Sequence, residues 1–174
     1  MKNAYIVAAK RTPIGGFLGN LSHLSAIELG SMAIKGALEN TSIPADAIDS
    51  VYMGNVLSAN LGQSPARQAS KFAGIADKTD ATTINKVCAS GMKAVMTAAQ
   101  QIQLGIDEVA IAGGMESMSN VPHYISHRRG NKMGHDILTD GLLKDGLTDV
   151  YHSFHMGNAA EICAREHNLS REQQ

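Results

Sequence analysis

The stretch from Thr82 to Gly105 constrains this chain more than any other, because one periodicity stops inside it and another starts. Thr82 to Val87 is rich in β-branched residues, which suit a pleated, buried strand. From Met92 the spacing changes: Met92, Val95, Met96, Ala99 and Ile102 recur as one face of a helix, and Gly105 is placed to stop it. Cys88 falls between the two elements and is followed by Ala89, Ser90 and Gly91. Unpaired N–H groups at a helix start favour negative charge, so a thiolate is stabilised there. The small residues leave room for a ligand, and the backbone amides could hold a developing oxyanion. By position alone two readings stand, a small buried hydrophobe and a nucleophile.

The rest of the chain repeats the strand-then-helix theme. Ala4 to Ala9 has the length of a buried strand, and Lys10 to Gly16 then breaks it with proline and glycine. Ser25-Ala26-Ile27-Glu28 is a capping box that opens a helix with an apolar face of Ile27, Ala33, Ile34, Ala37 and Leu38. Pro44 to Ile48 reads as a turn or short helical piece. Ser50 to Leu57 reads as a second strand, and Ser64-Pro65 as the cap and first turn of a helix closing near Gly74. Glu108 to Ala112 reads as a fourth strand, ended by Gly113-Gly114. The alternation predicts an α/β fold with a mostly parallel sheet and flanking helices, binding ligands at the carboxyl ends of its strands.

Beyond Ser119 the periodicity fades. Asn120 to Tyr151 reads as a long functional loop region, locally basic at His127, Arg128, Arg129 and Lys132. A solvated surface turn is the plainer reading of that basic patch. His123, His127, His135, His152 and His155 form no metal-ligand spacing with Cys, Asp or Glu, so no metal site is expected. Asn158 to Glu161 is another capping box, with Cys163 expected as a core thiol on the following helix. Ser170 to Gln173 opens a further capped helix, and the sequence stops inside its first turn, which reads as a cut.

Composition excludes several classes. A chain of 174 residues with 44% hydrophobic and 18% charged residues can bury one real core. A formal net charge of −1 argues against a nucleic-acid partner, and no apolar run is long enough to span a bilayer, so no membrane role is expected. Two cysteines without disulfide or zinc spacing fit a reducing compartment. Strand-like sequence from Ala4 leaves no room for a leader, which points to the cytoplasm, or to the mitochondrial matrix if a leader has been removed.

The segment Asn85-Lys86-Val87-Cys88-Ala89-Ser90-Gly91-Met92-Lys93-Ala94 resembles the active-site segment of thiolases. Gly113-Gly114-Met115-Glu116-Ser117-Met118-Ser119 and His155-Met156-Gly157 resemble two further motifs of that family, in the expected order. The wording is closest to acetoacetyl-CoA thiolases (acetyl-CoA C-acetyltransferases), as are Asn120-Val121-Pro122 and Asp145 to Tyr151. The resemblance implies a thiolase-like N-terminal α/β domain over residues 1–119 and the beginning of an inserted loop domain over 120–174. It implies Cys88 as the catalytic nucleophile, with Leu147, His155 and Met156 lining the channel for the pantetheine arm. Acetyl-CoA and acetoacetyl-CoA would be substrates, no separate cofactor is implied, and the family assembles as homodimers or homotetramers.

Thiolases also use a histidine in a Gly-His-Pro segment and a second cysteine in a glycine-rich turn. Here Asp136 follows Gly134-His135, so that match fails, and neither partner can be assigned. The resemblance thus covers roughly the first half of such an enzyme. A longer-chain 3-ketoacyl-CoA thiolase shares this first-half chemistry, a ketosynthase-type enzyme is a weaker rival, and an incomplete assembly module is the non-enzymatic alternative.

Overall fold

The computed structural model describes residues 2–130 and 132–174. The chain divides into two compact units, Met1–Asn120 and Val121–Gln174.

The first unit is an α/β layer structure. Its elements run α1 (Ala26–Leu38), β1 (Ser50–Gly54), α2 (Pro65–Phe72), β2 (Asp80–Ile84), α3 (Ser90–Leu104) and β3 (Ala110–Gly114). The three strands form one parallel sheet in the order β2-β1-β3, with Tyr52 of β1 opposite Thr82 on one side and Ala112 on the other. The connection β1–α2–β2 steps one way across this sheet and β2–α3–β3 steps back over β1. Two right-handed crossovers running in opposite directions must lie on opposite faces. The packing agrees. Val51 and Met53 of β1 join Ile27, Ile34, Ala66, Ala69 and Ile75 in a core on the α1–α2 side, whereas Tyr52 packs with Ala94 and Ala98 of α3. That alternation is the period of a strand covered on both faces, and all five residues of β1 are buried.

Local chemistry explains most element ends. The Ser25–Glu28 capping box forms as its spacing predicts, with both reciprocal bonds present. Pro44 precedes a single 3-10 turn, Ala45–Ala47. Gly105 ends α3 in the left-handed conformation at φ 76°. At α2 the cap differs from expectation. Ser64 lies at φ 47° and its side chain makes no capping bond. The Ala66 N–H is instead satisfied by Thr83 Oγ1 of β2, 3.0 Å away, so the helix start is stitched to the sheet.

Four strand expectations need correction. Ala4 to Ala9 forms no strand: it pairs with nothing among the described residues, and Tyr5, Ile6 and Val7 are 76%, 84% and 68% exposed. An apolar run becomes a strand only where a sheet edge receives it, and no edge of this sheet does. The strand before Cys88 ends at Ile84, not at Val87, because residues 85–89 fold into a tight turn. β1 ends at Gly54 instead of Leu57, and β3 starts at Ala110 and runs through Gly113-Gly114. Glycine tolerates the close approach that strand makes to its neighbours, so it continues the ladder instead of breaking it.

The helical face read from Met92, Val95 and Met96 is exposed, and Ser90, Ala94 and Ala98 take the sheet side. Small residues win there because they let the helix axis lie close to the sheet.

The second unit is more regular than a bare loop. Two short antiparallel strands, β4 (His123–Tyr124) and β5 (Thr139–Asp140), pair with His123 opposite Asp140. A π-helical turn spans Leu143–Leu147, and α4 runs Met156–Glu166. Beside this pair the buried Gly141 donates its N–H to the Pro122 carbonyl at 3.2 Å, and an added Cβ would lie 2.5 Å from that oxygen. Tyr124 donates to Asp145 Oδ2 at 2.5 Å, and that bond first, then burial, pushes its phenol up to about 12. Asn131, within the stretch read as loop, lies outside the described residues. Ser170 and Gln173 exchange capping bonds around a single turn.

In the first unit the carboxylate of Asp49 accepts from the N–H groups of Glu108 (2.8 Å) and Val109 (3.0 Å), tying the entry of β1 to that of β3. Those two bonds hold its carboxyl below the ordinary Asp range, as hydrogen bonds from Ser25 do for Glu28. A depressed folded-state value means the native state binds fewer protons than the unfolded one as pH falls. The stabilisation is therefore present above the unfolded value and lost as pH drops through the folded one. Thermal melts should show Tm falling as pH drops from about 5 towards 3. Asp49→Asn should flatten part of that slope, and an unchanged slope would contradict the assignment.

Candidate active site

Cys88 sits in a five-residue turn between the C-terminal end of β2 and the N-terminus of α3, and its thiol is exposed. Val87, just before it, has φ 50°. A β-branched residue in the left-handed region costs on the order of 1–3 kcal/mol, so the surroundings must over-determine it. They do so from both sides. The Val87 N–H donates to Asn85 Oδ1 at 3.0 Å. Its carbonyl accepts from Ser90 Oγ at 2.5 Å and from Ser90 N at 3.0 Å. The same Ser90 hydroxyl accepts from Lys86 N at 2.8 Å and is buried, so one side chain closes the whole turn.

The start of α3 supplies the electrostatics. Ala89 is the N-cap and offers no side-chain acceptor. Ser90 N and Lys93 N are bonded to Val87 O and Ala89 O, while the amides of Gly91 and Met92 have no acceptor among the described residues. Free donors at a helix start are where negative charge is best stabilised, whether on sulfur or on a tetrahedral oxyanion.

What places this turn is a glycine contact that sequence reasoning missed. Gly54, the last residue of the central strand, lies under α3: a Cβ there would be 2.6 Å from Gly91 N and 2.6 Å from Ser90 C. Gly114 faces the same spot from β3, its hypothetical Cβ 3.5 Å from Gly91 Cα. Three glycines on β1, β3 and α3 thus allow the helix start to rest on the strand ends. The sequence reading carried Gly54 inside a strand running to Leu57, whereas in the structure Gly54 and Gly114 each end a strand and meet through the register of the sheet.

Behind the turn lies a polar network of which the sequence analysis took Glu116 only as part of a motif. Asn55, 1% exposed, continues the ladder through its N–H to Ile84 O at 3.0 Å. Its side chain donates to Met115 O (3.1 Å) and Glu116 Oε1 (2.7 Å) and accepts from Ser58 Oγ (2.7 Å). The half-buried Glu116 carboxylate also receives Val56 N at 2.9 Å and Leu57 N at 3.1 Å. Burial raises its carboxyl above the ordinary range, against the two backbone bonds that lower it.

Leu147, His155 and Met156 lie in the second unit, apart from Cys88 in the chain's division. A bridge pairs Thr148, which follows Leu147, with His155, which precedes Met156, and Asp149 N donates to Phe154 O at 2.8 Å across the turn between them. Leu147 and Met156 are half-buried and His155 is exposed. His155, not Asn158, caps α4: its Nδ1 accepts from Gly157 N at 2.9 Å. That acceptor role puts the imidazole hydrogen on Nε2, facing outward as a donor. Asn158 falls one turn too late because the helix begins at Met156.

Cys163 is also corrected. It is exposed on α4, not a core thiol, since the half-buried positions are Ala159, Ile162 and Ala164. Among the described residues no group of three or more His, Cys, Asp or Glu side chains could hold a metal ion, and no helix is long and apolar enough to cross a membrane.

Replacing Gly54 by alanine should force α3 off the strand ends. Overpacking of this kind costs about 1–3 kcal/mol, read as a lower Tm. The alkylation rate of Cys88 should change while that of Cys163 does not. An alanine variant with wild-type Tm and Cys88 rate would refute the close contact.

Comparison with known proteins places these features. A family model, described as thiolase, N-terminal domain, matches residues 4–174. The chain is 58% identical over 174 residues to acetyl-CoA acetyltransferase 2 of Arabidopsis thaliana, covering 99% of this chain and 43% of that protein. It is 54% identical over 171 residues to a cytosolic acetyl-CoA acetyltransferase of Gibberella zeae, covering 98% of this chain and 43% of that one. A mitochondrial acetyl-CoA acetyltransferase of the same organism is 56% identical over 175 residues, covering 100% and 41%. Among solved structures, Acat5 thiolase from Ascaris suum in complex with coenzyme A superposes with a TM-score of 0.92 at 43% identity, over 99% of this chain and 45% of that one. The chain therefore spans well under half the length of these relatives. With a family match over nearly all its residues and the parallel sheet that carries Cys88 at a helix start, the chain belongs to the thiolase family.

Proposed function

We propose that this chain carries the nucleophile of an acyl-transfer enzyme that condenses two acetyl-CoA to acetoacetyl-CoA and CoA, or runs the reverse thiolysis. The observation that supports it most is the exposed Cys88 thiol at the start of α3, beside the free amides of Gly91 and Met92. Cys88 Sγ attacks the thioester carbonyl of acetyl-CoA, or the ketone end of acetoacetyl-CoA in reverse. The acyl group rests on sulfur and a CoA product leaves. A second acetyl-CoA then loses an α-proton and attacks the acyl-enzyme, and helix-start amides stabilise the oxyanion. No residue among these 174 is assigned as the base for that proton, so the condensation belongs to the whole enzyme and not to this chain alone.

Residues 1–119 are assigned to the catalytic α/β domain and 120–174 to the loop domain. Leu147, His155 and Met156, at the Thr148–His155 bridge, are assigned to the pantetheine channel. Their mix of two half-buried apolar side chains and one outward N–H suits an arm with both methylene and amide groups. The similarity to a thiolase solved with coenzyme A supports this ligand class. A longer-chain 3-ketoacyl-CoA substrate is the second reading, because the same nucleophile serves either. The names of the relatives favour the acetyl substrate. The compartment is proposed as the cytoplasm, or the mitochondrial matrix, since relatives are named for both.

In a protein spanning the relatives' whole length, incubation with acetyl-CoA should leave one acetyl group on the peptide containing Cys88. Mass spectrometry would find that peptide unlabelled after Cys88→Ala, and a label surviving elsewhere at full occupancy would end the proposal. The exposed face of Met92, Val95 and Met96 also supports assembly, as a homodimer or homotetramer. Light scattering of the same protein at micromolar concentration should give a dimer or tetramer mass, and a clean monomer would contradict it.

A further inference from the structure

We propose that Glu116 is a positioning residue for Cys88, acting through Asn55 to fix both ends of the turn that presents the thiol. The turn over residues 85–89 has two anchors. The first is Ile84, whose carbonyl accepts from Asn55 N at 3.0 Å. The second is the start of α3, where Ser90 and Gly91 rest on Gly54 with no space for a Cβ. Both anchors therefore depend on where residues 54 and 55 lie. β1 ends at Gly54, and past that point one ladder bond, Asn55 N to Ile84 O, continues the pairing with β2.

Glu116 supplies a further restraint, on the side chain of Asn55 and on the two residues after it. Its carboxylate takes three donors, Asn55 Nδ2, Val56 N and Leu57 N, at 2.7, 2.9 and 3.1 Å. The main chain reinforces this, since Met115 N donates to Gly54 O at 2.9 Å and Asn55 Nδ2 donates to Met115 O at 3.1 Å. The carboxylate is half-buried with no cationic side chain paired to it among the described residues, so its only recompense for desolvation is this set of donors. A group that costs this much to bury and bonds only to the β1 exit is well suited to holding that exit. A neutral or shorter side chain cannot satisfy all three donors.

This inference rests on reading Cys88 as the reactive thiol, but its test needs no acyl transfer. Cys163, exposed in the other unit, serves as an internal reference. In the 174-residue chain, limiting iodoacetamide at one fixed pH near neutrality is followed by peptide mass spectrometry, and the ratio of Cys88 to Cys163 alkylation rates is read. Glu116→Ala should lower that ratio by about fivefold or more, as the thiol loses its place at the helix start. Glu116→Gln has the same length and keeps one oxygen for Asn55 and Leu57, so it should fall between the two. Ile34→Ala, in the α1–α2 core, is the control for loss of stability alone and should leave the ratio unchanged. Should Glu116→Ala not fold, wild type against Glu116→Gln decides. An unchanged ratio in a folded Glu116 variant, or an equal drop in Ile34→Ala, would overturn the proposal. Neither result bears on acetyl labelling of Cys88, so the two readings fail separately.

Discussion

The first unit depends on one close contact, the seating of the α3 N-terminus on Gly54. Helices on a sheet usually keep enough distance for side chains to interdigitate. Here the backbone of Ser90 and Gly91 lies where a Cβ of residue 54 would be, 2.6 Å away. That proximity is possible only because glycine stands at residue 54, with Gly91 and Gly114 beside it. Once the helix start is pinned there, the chain must travel from the end of β2 to the top of α3 in five residues. The left-handed Val87 and the buried Ser90 hydroxyl are consequences of that short path.

The contact also links packing to chemistry. A helix start resting on strand ends cannot be capped by a bulky side chain, and Ala89 offers none. The amides of Gly91 and Met92 are left without an acceptor among the described residues, next in the chain to the exposed Cys88 turn. An uncapped helix forgoes about 1 kcal/mol of stability, and gains a donor pair aimed at developing negative charge. Just past the end of the same strand, the half-buried Glu116 carboxylate is surrounded by N–H groups. The exit of β1 thus meets both a helix start with free donors, at Gly54, and a carboxylate that takes up donors, at residues 55–57.

In the second unit, stability comes from polar pairs and turns more than from a buried core. His155 capping α4 and the Thr148–His155 bridge join segments close in sequence, and Tyr124 with Asp145 ties two segments 21 residues apart. The polar sequence of this region, with six histidines, is consistent with that economy. Its residues proposed for ligand contact are held by short-range bonds, so their mutual arrangement is a local property.

Much of the first unit was legible in the chain itself. The Ser25–Glu28 box, the Gly105 stop and the strand-helix alternation rest on interactions between residues a few positions apart, and they formed as the spacing implied. The motif around Cys88 likewise carried the family, because short-range chemistry constrains those residue types. Tertiary structure alone decided the rest. Tyr5 to Val7 has the composition of a strand but no edge to join. Met92, Val95 and Met96 have the period of a buried face, yet Ala94 and Ala98 fit the sheet more closely. Thr83 caps α2 from another element, and Cys163 turns outward from the side of α4 that packs. Gly54, Ser90, Asn55 and Glu116 meet only because the register of three parallel strands brings positions up to 62 apart to one end of the sheet (116 less 54). Periodicity reports which residues could share a face, and only the assembled sheet settles which face finds a partner.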